Sequence, residues 1–208
     1  MGYYPVMLDL HGRPVLVVGG GPVAERKVEG LLAAGARITI VSPALTFALA
    51  GLAAEGRVRH EPRRYRPGDL AGFSLVFVAT ADAALNGLVA REGRCRGVWV
   101  NAADDPAHCD FILPAVLRRG PVTVSVATDG ASPALASVIR DELAAVLGEE
   151  YGALAELVGE VRRELRAVAQ SPDGETWRRA LGAELRALVA ARRYDDARKW
   201  LRQRLGAG

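Results

Sequence analysis

The stretch "VLVVGGGPVAERKVEGLLAAGARITIVSP", from Val15 to Pro43, limits what this chain can fold into more than any other. Its opening, Pro14 to Val18, is continuously apolar, the pattern of a strand buried on both faces. Ala24, Val28, Leu31 and Leu32 then recur at helical spacing, Gly35 stops that helix, and Arg37 to Val41 reads as a second strand. Parallel strands need a long crossover between them, and a helix of this length supplies one. The alternation continues along the chain: a helix over Leu45 to Glu55, a short strand over Val58 to Glu61, and the loop "PRRYRPGDLAG". A strand over Ser74 to Thr80, a helix over Ala83 to Arg94 and a strand over Val98 to Asn101 follow. Such a chain builds a parallel sheet covered on both faces.

The glycines between the first strand and helix carry chemistry as well as geometry. Gly19-x-Gly21-x-x-Ala24 fits the dinucleotide-binding fingerprint, with strand before and helix after. Gly19 lets the chain turn out of the strand, Gly21 leaves room for a pyrophosphate, and Ala24 lets the helix approach the sheet. Pro22 suits a first helical turn because its missing N–H has no partner there anyway. The helix start then offers N–H groups and a partial positive charge to phosphate. A ribose-binding acid is expected about 20 residues on, but Val41, Ser42 and Pro43 stand at the second strand's end. Ser42 offers a hydroxyl in place of the carboxylate. Arg37, a candidate partner for a 2′-phosphate, opens that strand and so belongs to its other end. The motif alone leaves NAD and NADP both open.

Composition excludes several classes. A formal charge of +3 over 208 residues, with both signs interspersed, gives no basic stripe for nucleic acid. Lys27 and Lys199 are the only lysines; genomic composition bias accounts for that excess of arginine, and some arginines alternatively serve as bidentate forks for carboxylates. No apolar run is long enough to span a bilayer, and the N-terminus lacks the apolar core of a signal peptide. Two cysteines, Cys95 and Cys109, form no disulfide framework, which points to a reducing cytoplasm. The loop "NAADDPAHCD" gathers Asn101, Asp104, Asp105, His108, Cys109 and Asp110 beyond a parallel strand, where open α/β sheets bind ligands. Asp104 and Asp105 also suit an Asx turn ahead of Pro106. Its spacing matches no structural zinc pattern, so no dedicated metal site is expected. His11 and His60 read as surface or packing residues. "PVTVSVAT" from Pro121 to Thr128 reads as a further strand. From Ala134 helix formers dominate, broken at "QSPDGETW".

Taken in order, "YPVMLDLHGRPVLVVGGGPVAERK", "LLAAGARITIVSP", "VFVATAD", "VNAADDPAHCDFILPA" and "VSVATDGASPALA" resemble the precorrin-2 dehydrogenase / sirohydrochlorin ferrochelatase family, the siroheme-synthase N-terminal type. The resemblance runs from about Tyr4 to about Leu147 and is loose in the helical tail. It implies an α/β chain with a Rossmann-like parallel sheet domain over 1–113, a dimerisation segment over 114–147 and a helical C-terminal domain over 148–208. It implies NAD-dependent oxidation of precorrin-2 to sirohydrochlorin in siroheme or cobalamin biosynthesis, in a cytoplasmic homodimer without nucleic-acid or membrane partners. Some members also chelate iron, with Fe2+ a substrate rather than a bound cofactor; His108 and Cys109 would then assist metal delivery.

The family's functional aspartate maps to Asp104, with Asp105 next if the register shifts by one. A carboxylate in a desolvated cleft has its pKa raised toward the range of a useful base. The expected cofactor set is Gly19, Gly21, Pro22, Val23, Ser42, Pro43, Thr80 and Asn101. Family members use NAD although their second strand often ends in serine-proline. Arg118, Arg119, Thr128 and Ser132 are the candidates for the carboxylate-rich substrate. Arg118 and Arg119 also fit a solvated helix end, and Thr128 and Ser132 also fit caps on the helix that Pro133 begins. The competing reading is an NAD-sensing regulatory module with a Rossmann-like domain, which would not need the acidic and "ATDGASPALA" segments.

Overall fold

A computed structural model describes residues 2–103 and 105–206, and the chain divides into two compact units, Met1–Leu113 and Pro114–Gly208. In the first unit the chain runs β1 (Pro14–Val18), α1 (Pro22–Ala33), β2 (Arg37–Val41), α2 (Phe47–Ala54), β3 (Arg59–Glu61), β4 (Leu75–Val78), α3 (Ala83–Arg96) and β5 (Trp99–Ala102). The five strands form one sheet in the order β3-β2-β1-β4-β5, and every pairing is parallel. The order reverses between β1 and β4, the place where such sheets open a ligand crevice.

Side-chain alternation explains the continuous apolar strands. Val15 and Val17 join Val28 and Leu31 of α1 and Leu49 of α2 in one core layer. Leu16 and Val18 join Val89 of α3 in the opposite layer. The crossover from β3 to β4 has no helix. Tyr65 and Leu70 from that loop fill the second layer in place of one. The loop is stitched down by Glu92 of α3, which accepts from the Tyr65 hydroxyl at 2.6 Å and from the Gly68 amide at 2.9 Å.

The second unit opens with a hairpin of β6 (Ala115–Arg119) and β7 (Val122–Val126), antiparallel across a turn at Gly120, whose φ is +51°. Five helices follow: α4 (Pro133–Val146), α5 (Glu150–Ala167), α6 (Gly174–Ala180), α7 (Ala183–Ala190) and α8 (Tyr194–Arg204). Leu157, Val161 and Leu165 of α5, spaced by four, pack with Leu185, Val189, Ala197 and Leu201 as a separate core. Strand β6 corrects the alternative reading of Arg118 and Arg119 as a solvated helix end. "AVLRR" shows no clean alternation, and only pairing with β7 reveals it. Gly152 of α5 packs where a Cβ would meet the Arg119 backbone at 2.9 Å, so the helix comes directly against the hairpin. Among the described residues, no helix is long and apolar enough to cross a membrane.

Candidate functional site

The glycine turn shows three different constraints. Gly19 has φ +114°, and a Cβ there would lie 2.5 Å from the Ala79 carbonyl oxygen at the end of β4. Gly20, absent from the sequence-derived set, is tighter. A Cβ would meet the Ala44 carbonyl oxygen at 2.1 Å and the Ser42 hydroxyl at 2.9 Å. Gly21, the N-cap residue of α1, has nothing within 4 Å of that position, and no side chain caps the helix. Pro22 opens the helix, and among the described residues no side chain accepts from the amides of Val23 and Ala24 behind it. Two glycines thus let the turn lie flat against the ends of β2 and β4, while the third faces open space before an uncapped helix start. That cradle fits a dinucleotide pyrophosphate.

The rest of the expected cofactor set is held largely from within. Ser42 is buried at 7% exposure, and its hydroxyl donates to the Ala44 carbonyl at 2.7 Å. Its own carbonyl oxygen lies 2.9 Å from His60 Nε2, which gives that histidine a partner the sequence did not suggest. Pro43 is exposed beside it. Arg37 donates through Nε to the Gly12 carbonyl, at the opposite end of β2 from the turn. Thr80 Oγ1 touches the crevice wall of β4, donating to Asn86 Oδ1 at 3.2 Å and accepting from the Asp82 amide at 3.3 Å. Asn101 is 7% exposed; its Oδ1 accepts from Lys27 Nζ at 3.0 Å and its Nδ2 donates to the Phe111 carbonyl at 2.9 Å. The Lys27 ammonium also lies 5.2 Å from the centre of the Phe77 ring, which Phe111 meets edge-on. Lys27 reaches from the second turn of α1 to the far edge strand, a contact spanning 74 residues that periodicity could not reveal.

These bonds form the neck of the acidic loop. Val100 and Asp110 exchange two bonds of 2.8 Å, one through the Asp110 carboxylate and one through its amide. Cys109 Sγ accepts from the Ala102 amide at 3.2 Å and lies 3.1 Å from the Ala102 carbonyl oxygen. Burial pushes the Cys109 thiol above its ordinary range, so it remains a protonated packing group at neutral pH rather than a thiolate. Within the loop, His108 Nδ1 lies 2.7 Å from Asp105 Oδ2. Asp104 lies outside the described residues. Among the described residues, no group of three His, Cys, Asp or Glu side chains is placed to hold a metal ion.

The substrate candidates lie in the second unit. Arg119 donates through Nε to the Leu147 carbonyl at 2.9 Å and through Nη2 to the Ala144 carbonyl at 3.3 Å, closing the C-terminal end of α4. Arg118, its neighbour on β6, is exposed. Thr128 Oγ1 accepts from the Ser132 amide and donates to the Ser132 carbonyl, both at 3.0 Å. Ser132 caps α4 by accepting from the Leu135 amide at 3.1 Å. Three of the four therefore already hold local structure.

Comparison with known proteins follows the same division. Residues 6–115 match a family model described as putative NAD(P)-binding, and residues 119–145 match one described as sirohaem biosynthesis protein central. The chain is 40% identical over 97% of its length to siroheme synthase 2 of Aeromonas hydrophila, and 41% identical over its whole length to siroheme synthase of Thioalkalivibrio sulfidiphilus. It spans 43% of the length of each of these two relatives. Among solved structures it is similar to SirC, a precorrin-2 dehydrogenase, with 30% identity and a TM-score of 0.80, covering 97% of this chain and 98% of that one. The chain belongs to the family of precorrin-2 dehydrogenase and the siroheme-synthase N-terminal type.

Proposed function

We propose that the chain oxidises precorrin-2 to sirohydrochlorin with NAD, in siroheme or cobalamin biosynthesis. The observation that carries this is the end-to-end correspondence with a precorrin-2 dehydrogenase, 97% of one chain on 98% of the other. The glycine cradle supports the cofactor. Bound NAD supplies the acceptor for the hydride that leaves the tetrapyrrole. This chain's own task is to hold the pyrophosphate on the start of α1 and to take the proton that leaves with the hydride. Asp104 takes that proton. The support is its match to the family's functional aspartate, and that its sequence neighbour Asp105 is engaged by His108.

Relatives named siroheme synthase support a second step, insertion of Fe2+ as a substrate, for which a base must remove the pyrrole protons. Exposed Leu135, Val138 and Val146 on α4 support a homodimer built through 114–147, and the two free thiols support a reducing cytoplasm. The test is anaerobic incubation with precorrin-2 and NAD, followed optically, before and after Fe2+ is added. Sirohydrochlorin should appear with the wild type and not with Asp104→Asn, while NAD affinity stays within a few-fold. NAD binding without turnover in the wild type would favour a sensing module instead.

A further inference from the structure

The glycine turn, Thr80 and the start of α3 are contiguous at the point where strand order reverses. A Cβ on Gly19 would lie 3.3 Å from Thr80 Cγ2. Behind Thr80 sits Asn86, in the first turns of α3 and only 4% exposed. Buried amides normally have all their groups bonded, because an unpaired one is costly. In the structure the amide oxygen of Asn86 faces Thr80. Thr80 Oγ1 accepts from the Asp82 amide and gives its single proton to Asn86 Oδ1. That leaves Asn86 Nδ2, with two protons, bonded to no described residue. No side-chain nitrogen or oxygen among the described residues is sealed from solvent without a partner, so Nδ2 keeps a narrow opening to the outside. On the other side of Asn86, a Cβ on Gly87 would lie 3.4 Å from His108 Nε2, which puts this stretch of α3 beside the acidic loop.

We propose that Asn86 is a cofactor-binding residue whose Nδ2 donates to an oxygen on the nicotinamide half of the dinucleotide. The proposal rests on the NAD-dependent reading above and deepens it. The pyrophosphate lies on the start of α1, and the adenosine half extends toward the end of β2, where a ribose partner is expected. The nicotinamide half therefore extends the other way, over the ends of β4 and β5, past Thr80 and Asn86. Thr80 is then a positioning residue: its hydroxyl turns the amide so that the donor, not the carbonyl, faces the crevice.

The test is calorimetric titration of the whole chain with NAD and, separately, with ADP, which carries the adenine half alone. Asn86→Leu should weaken NAD about tenfold and leave ADP within twofold. Asn86→Asp keeps an acceptor for Thr80 but loses the donor, so it should weaken NAD at least as much, and it covers the case in which the leucine variant does not fold. Thr80→Val should weaken NAD by a smaller factor and add little to the Asn86→Leu variant. Wild-type affinity for NAD in either well-folded Asn86 variant would overturn the proposal. Equal loss of NAD and ADP would also overturn it, making Asn86 a scaffold of the glycine turn. If the wild type binds no NAD, the functional reading falls and takes this proposal with it; if only the variants behave unexpectedly, this proposal alone falls.

Discussion

At the scale of single residues, adjacent glycines have opposite reasons to be glycine. Gly20 faces the Ala44 carbonyl and the Ser42 hydroxyl, so Gly20→Ala forces the β2 end away from the turn. Overpacking of this kind costs about 1–3 kcal/mol, and a lower thermal midpoint should report it. Gly21 faces open space at the N-cap of α1, a position where aspartate is among the preferred residues. Gly21→Asp should therefore keep or raise the midpoint of the free protein while abolishing NAD binding, because its carboxylate would meet the pyrophosphate. Measuring melting and NAD affinity on both variants separates packing from ligand contact. Lys27 offers a third case. Lys27→Met removes the donor to Asn101 Oδ1, leaving a buried acceptor short of a partner at a cost of about 1–3 kcal/mol. Faster amide exchange across 101–111 is the expected result, with the α1 amides unaffected; unchanged exchange in the loop would show that its neck does not depend on Lys27. The motif exposed Gly19 and Gly21 because backbone torsion and a ligand's room are local demands. Gly20 and Lys27 escaped it because their reasons lie in chain segments far along the sequence.

Among elements, the β3–β4 crossover does without a helix and is held by ion pairs instead. Arg63 grips Asp69 through both guanidinium nitrogens at 2.6 and 3.0 Å, and the Arg66 amide donates to the same carboxylate at 2.8 Å. Burial alone would raise the Asp69 pKa, but these bonds outweigh it and hold the carboxyl below its usual value. Because the folded value is the lower one, the stability gained is full above the unfolded carboxyl pKa of about 4 and is lost as pH falls through the folded value. Asp69→Asn should therefore melt earlier than wild type at pH 7, with the gap closing as pH drops below about 4. A gap that persists unchanged to pH 2 would assign the effect to packing. The central strands of the first unit were legible as continuous apolar runs, and α1 by its helical spacing of apolar residues. Strand β6 was not, since Ala115 to Arg119 has no alternation and is a strand only through β7 and the close approach of Gly152.

For the whole molecule, α4 leaves Leu135, Val138 and Val146 at 49%, 52% and 73% exposure. Leu135 and Val138 lie one turn apart on one side of the helix, and a second copy is the occupant proposed for that face. If the proposed homodimer forms through this face, the wild type should sediment as a dimer and Val138→Glu as a monomer without loss of helix content; a variant that still sediments as a dimer would place the interface elsewhere. The order of strands and helices in the first unit, the glycine turn and the family were all determined by the sequence alone, because burial period and glycine torsion are set by residues within one or two turns of each other. Only the tertiary structure decided where the polar groups go. The Ser42 hydroxyl turns to Ala44, the Asn101 amide joins Lys27 to Phe111, Arg119 closes α4, and the Asn86 amide nitrogen meets no acceptor among the described residues. A hydrogen bond reaches about 3 Å and requires a particular direction, so its partner is chosen by which distant segments packing has already brought together, and no pattern of neighbours along the chain records that choice.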